Sequence, residues 1–402
     1  MIQKWRFAVP HMSHGEHTRY EAKHILPFAM QKELGLWEGA RKDGEEQPKG
    51  QPEDCDYVGH DKGANGRVFK VELHQGYGNF GYAEAQSMIY ARKEITAPDT
   101  NWHILDEANN LHKVNQLHHP HIIRLVKTYQ KGKNNFNIIF PYAKVNLHRY
   151  LRIPSLGAPR LSTDSDLSQN RLWPQILGVA EGLNLIINGS RNKESFIGFH
   201  FDLKPQNILI LEKQKLDTLV ISDFGQARLI DRGDRFTSRR TFGGGTDSYT
   251  PPESSDGFVL KAQHNKYDIW PLGIILVEVL SFVVKGESGP KRLDKVRETS
   301  ESRGVDSRFW RIPDRTSRGE LKPEIVQFMT EIRDAPEKEE NRVFVGKVLD
   351  LAEDMLHPDP ERRISIDRTV QRMRAIFGCE RRKVHRRDVS LQAGEKEDLA
   401  YL

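Results

Sequence analysis

Cysteine is nearly absent: the 402 residues hold two, Cys55 and Cys379, far apart along the chain. Two such distant thiols exclude a disulfide framework and favour a reducing compartment. Long apolar runs are missing too. The most hydrophobic stretch, IWPLGIILVEVL, falls short of the roughly 20 residues a spanning helix needs, so it reads as a buried helix and no membrane span is expected. The opening MIQKWRFAVPHMSHGEH lacks the apolar core of a secretory signal, and the expectation is an intracellular protein, cytoplasmic or nuclear. Neither charge sign dominates: 61 Lys and Arg stand against 56 Asp and Glu, a net of +5, which gives no general reason to expect a nucleic-acid partner. The basic run RRKVHRR at 381–387 reads as a solvated tail. Two histidine sets, His11, His14 and His17 and then His118, His119 and His121, lack a cysteine or well-placed carboxylate to complete a zinc site. No repeat of solenoid length is visible.

The chain does have enough apolar residues, 37%, for a sizeable core divided among two or three compact units. Residues 39–56, GARKDGEEQPKGQPEDCD, are rich in Gly, Pro and charge and read as a linker after an N-terminal extension. Strand-like runs follow at YVGHDKG, GRVFKVEL and MIYARKEI, and then DEANNLHKVNQL with helical spacing of Leu111, Val114 and Leu117. From Trp173 onward helical patterns dominate. Polar stretches at 152–172, 188–195 and 285–322 read as surface loops.

The most informative segment is GFHFDLKPQNILILEKQKLDTLVISDFGQ, residues 198–226. Ile208 to Leu211 and Leu219 to Ile221 read as strands joined by a polar turn. Antiparallel pairing would bring Asn207 and Asp223, at the open ends, side by side, offering an amide oxygen and a carboxylate to a hard cation such as Mg²⁺. Asp202 and Lys204 lie upstream in the same loop.

The set H-x-D-L-K-P-x-N at His200 to Asn207, then D-F-G at Asp223 to Gly225, resembles the catalytic core of eukaryotic protein kinases. Pro251 to Glu253, Asp268 to Gly273 and Asp359 to Arg363 follow in the family's order, and the likeness covers about residues 55–378. It implies an α+β, bilobal fold, with a small β-sheet lobe carrying one main helix and a larger, mainly helical lobe. The implied division is an extension and linker over 1–54, the small lobe over 55–139, hinge and large lobe over 140–378, and a flexible basic tail over 379–402. The extension, KWRFAVPHMSHGEHTRYEAKHILPF, resembles a lead-in of kinase domains of filamentous fungi that packs on the domain.

The same resemblance implies the chemistry: ATP and Mg²⁺ as cofactors, and proteins bearing Ser or Thr as substrates. Asp202 would orient the substrate hydroxyl, Lys204 would face the γ-phosphate, Thr246 would bond near both, and Asn207 with Asp223 would hold the metal. Lys204, Gly245-Thr246 and Tyr249 match the serine/threonine form. Gly63 and Gly66, three apart before Val68, would let backbone amides approach the phosphates. The family's first glycine falls on Asp61, or Gly59 plays that part across a longer loop. Lys93 matches the phosphate-binding lysine; its neighbour Arg92 must face the other side of the strand. The lysine's carboxylate partner is Glu107 if the following helix is about one turn longer, whereas family spacing lands on Asn110. Phe140 fits the gatekeeper and Pro141 to Ala143, with Tyr142, the adenine-binding hinge. Glu253 should pair with Arg363, and Asp268 should cap a helix while accepting backbone donors of the catalytic loop. Phe201 replaces the usual Arg before the catalytic Asp. Two alternatives remain: a pseudokinase acting as an ATP-binding or scaffolding module, motivated by Asp61 and Asn110, and a small-molecule phosphotransferase, which would not be expected to carry a segment ending in P-P-E.

Overall fold

Strand periodicity of two gives the smaller lobe a sheet with two buried faces. The computed structural model describes residues 12–13, 17–21, 25–26, 28–34, 66–74, 78–79, 89–96, 103–153, 166–189, 196–212, 217–231, 246–256, 266–301, 304–313 and 319–378. A short parallel pair joins β1 (Met12–Ser13) to β5 (Gly78–Asn79). The main sheet contains β2 (Thr18–Tyr20), β3 (Phe28–Leu34), β4 (Arg67–Leu73), β6 (Ile89–Thr96), β7 (Lys127–Lys131) and β8 (Asn135–Pro141), in the spatial order β2-β7-β8-β6-β4-β3. Val68, Ala91 and Ile138 belong to the main core, while Phe69, Val71, Tyr129 and Ile139 form a second cluster on the opposite face.

That second cluster receives the N-terminal segment, which packs on the small lobe as the resemblance implies. Leu26 and Phe28, with Tyr20, pack on it, so the segment read as an extension ahead of the lobe closes an apolar face that would otherwise meet water. It also supplies both edge strands: β3 pairs antiparallel with β4, and β2 pairs parallel with β7. Residues 35–65, which hold the Gly- and Pro-rich stretch and the YVGHDKG run, therefore connect two adjacent strands of one sheet. They lie outside the described residues, as do Gly63, Asp61 and Gly59.

Helix α1 (His103–Asn115) buries Glu107, Asn110, Leu111 and Val114. Their spacing of three and four places them on one stripe, which carries two polar groups into the molecule along with the apolar ones. The larger lobe begins with β9 (Val145–Asn146), α2 (Leu147–Arg152) and α3 (Leu172–Asn188), then β10 (Phe196–Phe199), β11 (Ile208–Leu211), β12 (Thr218–Ile221) and β13 (Arg228–Asp231). At its centre α4 (Ile269–Lys285) is buried over nearly its whole length, as its predominantly apolar sequence requires. No helix among the described residues is long and apolar enough to cross a membrane.

The stretch 285–322, read as a surface loop, is instead largely structured. It forms α5 (Ser288–Arg297) and two hairpins, β14 (Thr299–Glu301) with β15 (Gly304–Asp306) and β16 (Trp310–Arg311) with β17 (Glu320–Leu321). Its polarity is consumed internally. Lys322, 1% exposed, donates to the carbonyls of Arg297 at 2.9 Å and Asp306 at 2.8 Å. The chain closes with α6 (Pro323–Asp334), α7 (Glu339–Met355) and α8 (Ile366–Ile376). The basic tail from 379 lies outside the described residues.

Candidate functional site

The β11–β12 hairpin forms in the expected register, with Ile208 opposite Ile221. Its open end is tied by Ser222, whose backbone and hydroxyl both donate to the Asn207 carbonyl at 2.9 Å. Asn207 and Asp223 thereby reach the same cleft, of ≈ 520 Å³, between the two lobes. Val68, Ala91, Ala143 and Leu209 give this cleft an apolar wall, and Lys93 and Glu107 join the polar end.

Register explains why Lys93 points inward. It lies opposite Val68 on β4 and two residues from Ala91, so all three share one face of the sheet. Arg92 takes the other face, donating to Tyr129 at 3.3 Å and to Asn137 at 3.0 Å. The Lys93 ammonium donates to both oxygens of Glu107 at 2.9 Å and to Asp223 Oδ1 at 3.2 Å. Burial opposes its charge, and the two carboxylates more than compensate, holding the ammonium above the ordinary lysine value.

Glu107, not Asn110, meets the lysine. Asn110, one turn further along α1, donates to the carbonyls of Phe224 at 3.2 Å and Ala227 at 2.9 Å. It ties α1 to the backbone around Asp223. Both residues are buried on the same stripe, which is why counting along the sequence could not separate them.

On the other side of the cleft four side chains converge. Asp202 Oδ1 accepts from the Thr246 backbone and hydroxyl, each at 3.0 Å, and Oδ2 accepts from Asn207 Nδ2 at 3.0 Å. Lys204 stands 3.2 Å from Asp202 Oδ2 and donates to the Thr246 hydroxyl at 2.6 Å. Asn207 Nδ2 also bonds the Asp202 carbonyl at 2.8 Å. With its nitrogen turned to Asp202, the amide oxygen is the end of Asn207 left for a cation.

Two non-glycine residues here have left-handed backbones, Phe201 at φ 62° and Asp223 at φ 61°. Such conformations cost roughly 1–3 kcal/mol and persist only where surroundings enforce them. Asp268 enforces the first by accepting from the backbone of His200 at 2.7 Å and of Phe201 at 2.9 Å. The expected cap is not made: Asp268 sits at the N-cap of α4 but makes no side-chain cap bond, because both oxygens serve the loop. Burial raises its pKa. Phe201 stacks on Phe199 with centroids 5.1 Å apart and meets Tyr267 edge-on at 4.9 Å, so position 201 belongs to an aromatic cluster and carries no cation. Glu253 and Arg363 form the expected pair, bidentate at 2.8 Å and 2.8 Å.

The remaining expectations fall unevenly. Phe140 and Pro141 line the cleft with Ala143, whereas the Tyr142 ring lies under Lys70 Nζ at 4.8 Å and is not part of the lining. Gly66 precedes β4, where a Cβ would stand 2.8 Å from the Glu94 carbonyl, so the close approach of β6 already demands glycine. His121 bonds the Leu219 carbonyl and the neighbouring backbone pairs with Ile221, which makes that histidine set part of the scaffold. No metal-binding cluster of three His, Cys, Asp or Glu occurs among the described residues. Sequence reasoning missed Ala91, Ile123, Gln206, Leu209 and Ser222 in the lining. Strand periodicity from Lys93 could have found Ala91; Ile123 is brought in only by long-range pairing.

A family model described as the protein kinase domain matches residues 69–373. The chain is 29% identical over 210 residues to the serine/threonine-protein kinase tousled-like 1-B of Danio rerio, covering 48% of this chain and 25% of that protein. It is 30% identical over 178 residues to the calcium/calmodulin-dependent protein kinase cmkA of Emericella nidulans, covering 44% and 36%. Human tousled-like 2 is 30% identical over 182 residues, covering 42% and 21%. These alignments thus span about a fifth to a third of the relatives' own length.

Proposed function

The chain belongs to the protein kinase family, and on that premise we propose that it is an active, ATP-dependent kinase that phosphorylates Ser and Thr hydroxyls of proteins. The observation that carries this reading is the paired placement of Lys93 on Glu107 and Asp223 across the cleft from Asp202, Lys204 and Asn207. In the transfer, a substrate hydroxyl oxygen bonds the γ-phosphorus as the bond to the β-phosphate oxygen breaks, and Asp202 orients that hydroxyl and takes its proton. The Thr246 hydroxyl now holds an acceptor position on Asp202 Oδ1 of the kind a substrate hydroxyl needs. Lys93 and Lys204 bring positive charge to opposite sides of the phosphate chain.

The donor set fits a magnesium–nucleotide pair. One carboxylate, Asp223, and one amide oxygen, Asn207, are too few for a metal cage but suit Mg²⁺, which takes its other ligands from phosphate oxygens and water. Bound there, the ion would neutralise charge on the phosphates. The apolar wall of Val68, Ala91, Ala143 and Leu209 suits a flat base. The Lys93–Glu107 pairing, with Asn110 engaged elsewhere, supports the active reading over the pseudokinase alternative, whose other motive, Asp61, lies outside the described residues.

The test is transfer of labelled γ-phosphate to a generic basic protein, comparing the native chain with Asp202→Asn and Asp223→Asn at equal folding. The Asp202 variant should lose about 10²–10⁴-fold. Equal transfer by all three would remove the enzyme reading. A thermal shift with Mg-ATP then separates a binding module from an inert fold, since ligand at ~100 times Kd stabilises by about 2.7 kcal/mol.

A further inference from the structure

The stretch that follows α4 reaches back to the segment carrying Thr246. Residues 246–250 form one short turn, in which the backbones of Tyr249 and Thr250 donate to the carbonyls of Thr246 at 2.8 Å and Asp247 at 3.2 Å. Two further carbonyls of this turn are met from outside it. Arg297, at the end of α5, donates to the Ser248 carbonyl, and the Trp310 indole of β16 donates to the Thr250 carbonyl at 2.8 Å. Both donors are buried. The Arg297 guanidinium lies over the rings of Tyr249 at 4.9 Å and Phe309 at 4.8 Å, and its Nε donates to the Ser307 carbonyl at 2.7 Å. The stretch is braced in turn by Lys322, which ties the carbonyls of Arg297 and Asp306 and whose backbone donates to the Phe309 carbonyl at 2.9 Å. Gly319 packs so closely that a Cβ there would stand 2.6 Å from Pro252. Ser248, Thr250 and Pro252 are thus each gripped by residues 297–319.

We propose that Arg297 and Trp310 are positioning residues for phosphoryl transfer, a role that rests on the kinase reading above: they hold the 246–252 segment so that Thr246 stays on Asp202 and Lys204. Both donors meet main-chain oxygens, so they fix the path of the segment rather than recognise one of its side chains. That path is stiff. Pro251 and Pro252 lock two φ angles just beyond it, and a single turn separates the gripped carbonyls from the Thr246 amide and hydroxyl on Asp202 Oδ1. A displacement at Ser248 or Thr250 is therefore passed to Thr246 with little to absorb it, and a misplacement of about 1 Å can cost on the order of 10²-fold in rate. The segment has another anchor inside the lobe, where the Tyr249 hydroxyl donates to Glu278 at 2.6 Å. That bond fixes one side chain, whereas Arg297 and Trp310 fix the backbone on either side of it. Added stability is the other use such a stretch could have. Apolar contact would serve that use, while two directed N–H donors buried against carbonyls define a position.

The test compares, in the full chain, Trp310→Phe, which keeps an aromatic ring and removes the N–H, with Arg297→Lys, which keeps the charge and removes the fork. Hydrogen exchange at the backbone amides of 246–250 should quicken about tenfold in both variants, with the β11–β12 hairpin and α4 unchanged. Over the same variants kcat for a basic protein substrate should fall about tenfold per folded molecule at an unchanged KM for Mg-ATP. Arg311→Gln, on the exposed side of the β16–β17 hairpin, is the control and should leave both readings native. Native exchange over 246–250 in the variants would overturn the proposal. So would faster exchange with native kcat, the result expected of a stretch that only adds stability. If Arg297→Lys does not fold, Trp310→Phe decides by the same two readings. A native chain that transfers no phosphate would sink the enzymatic reading instead, and the exchange comparison would still decide whether residues 297–322 hold the segment.

Discussion

Two of the buried cation–carboxylate pairs among the described residues contrast in what they can do, one in the cleft and one within the large lobe. Lys93 distributes one ammonium over Glu107 and Asp223, and Asp223 keeps 16% of its side chain exposed to the cleft. Arg363 commits its fork to Glu253 and spends further donors on the carbonyls of His357 and Lys266, each at 3.0 Å, with its own side chain fully enclosed. An ammonium is a compact charge whose three donors can be shared and redirected, whereas a guanidinium fixes a plane and a pair of bonds. The first geometry can transfer attention to a ligand. The second can only hold two segments together, here the end of the 246–256 segment and the turn before α8.

The largest expected consequence of that difference is in turnover. Lys93→Met should cut phosphoryl transfer per folded molecule by about 10²–10³-fold, measured against a basic protein substrate. Arg363→Ala should leave transfer per folded molecule near native while costing about 3–5 kcal/mol in denaturant unfolding, because Glu253 loses its partner. If both variants lost turnover equally, the contrast would fail.

A smaller effect concerns His119. Burial and the neighbouring His121 lower its pKa to about 4 from 6.5. The unfolded chain thus binds the proton first as pH falls, so this ring's contribution to stability is full above about 6.5 and is lost between there and about 4. His119→Gln should flatten the denaturant midpoint against pH across that window. The smallest expected effect tests Phe201. With no cation at position 201 to receive a phosphate, replacing Thr237, Ser238 and Thr241 together by Ala should leave the transfer rate about native. A loss of turnover in that triple variant would show that another cation takes the role.

Local patterns made the hairpin legible. ILIL and TLVI, flanking a polar turn, dictate an antiparallel pair, and pairing alone brings Asn207 and Asp223 to one end. The alternation along YARKEI likewise put Arg92 and Lys93 on opposite faces, and the resemblance to the family's lysine chose Lys93. The choice between Glu107 and Asn110 could not be made that way, since both lie on the buried stripe of α1 and only the position of β6 and the Phe224 backbone assigns their partners. Polar composition misled at 285–322, where internal carbonyls absorb Lys322.

The sequence by itself determined the grouping of Asp202, Lys204, Asn207 and Asp223, because short-range spacing and one hairpin set their places. Tertiary structure alone decided that β2 and β3 belong to the sheet, with Tyr20, Leu26 and Phe28 covering its outer face. Burial of that face depends on strands more than a hundred residues away along the chain, and no local period records such a pairing.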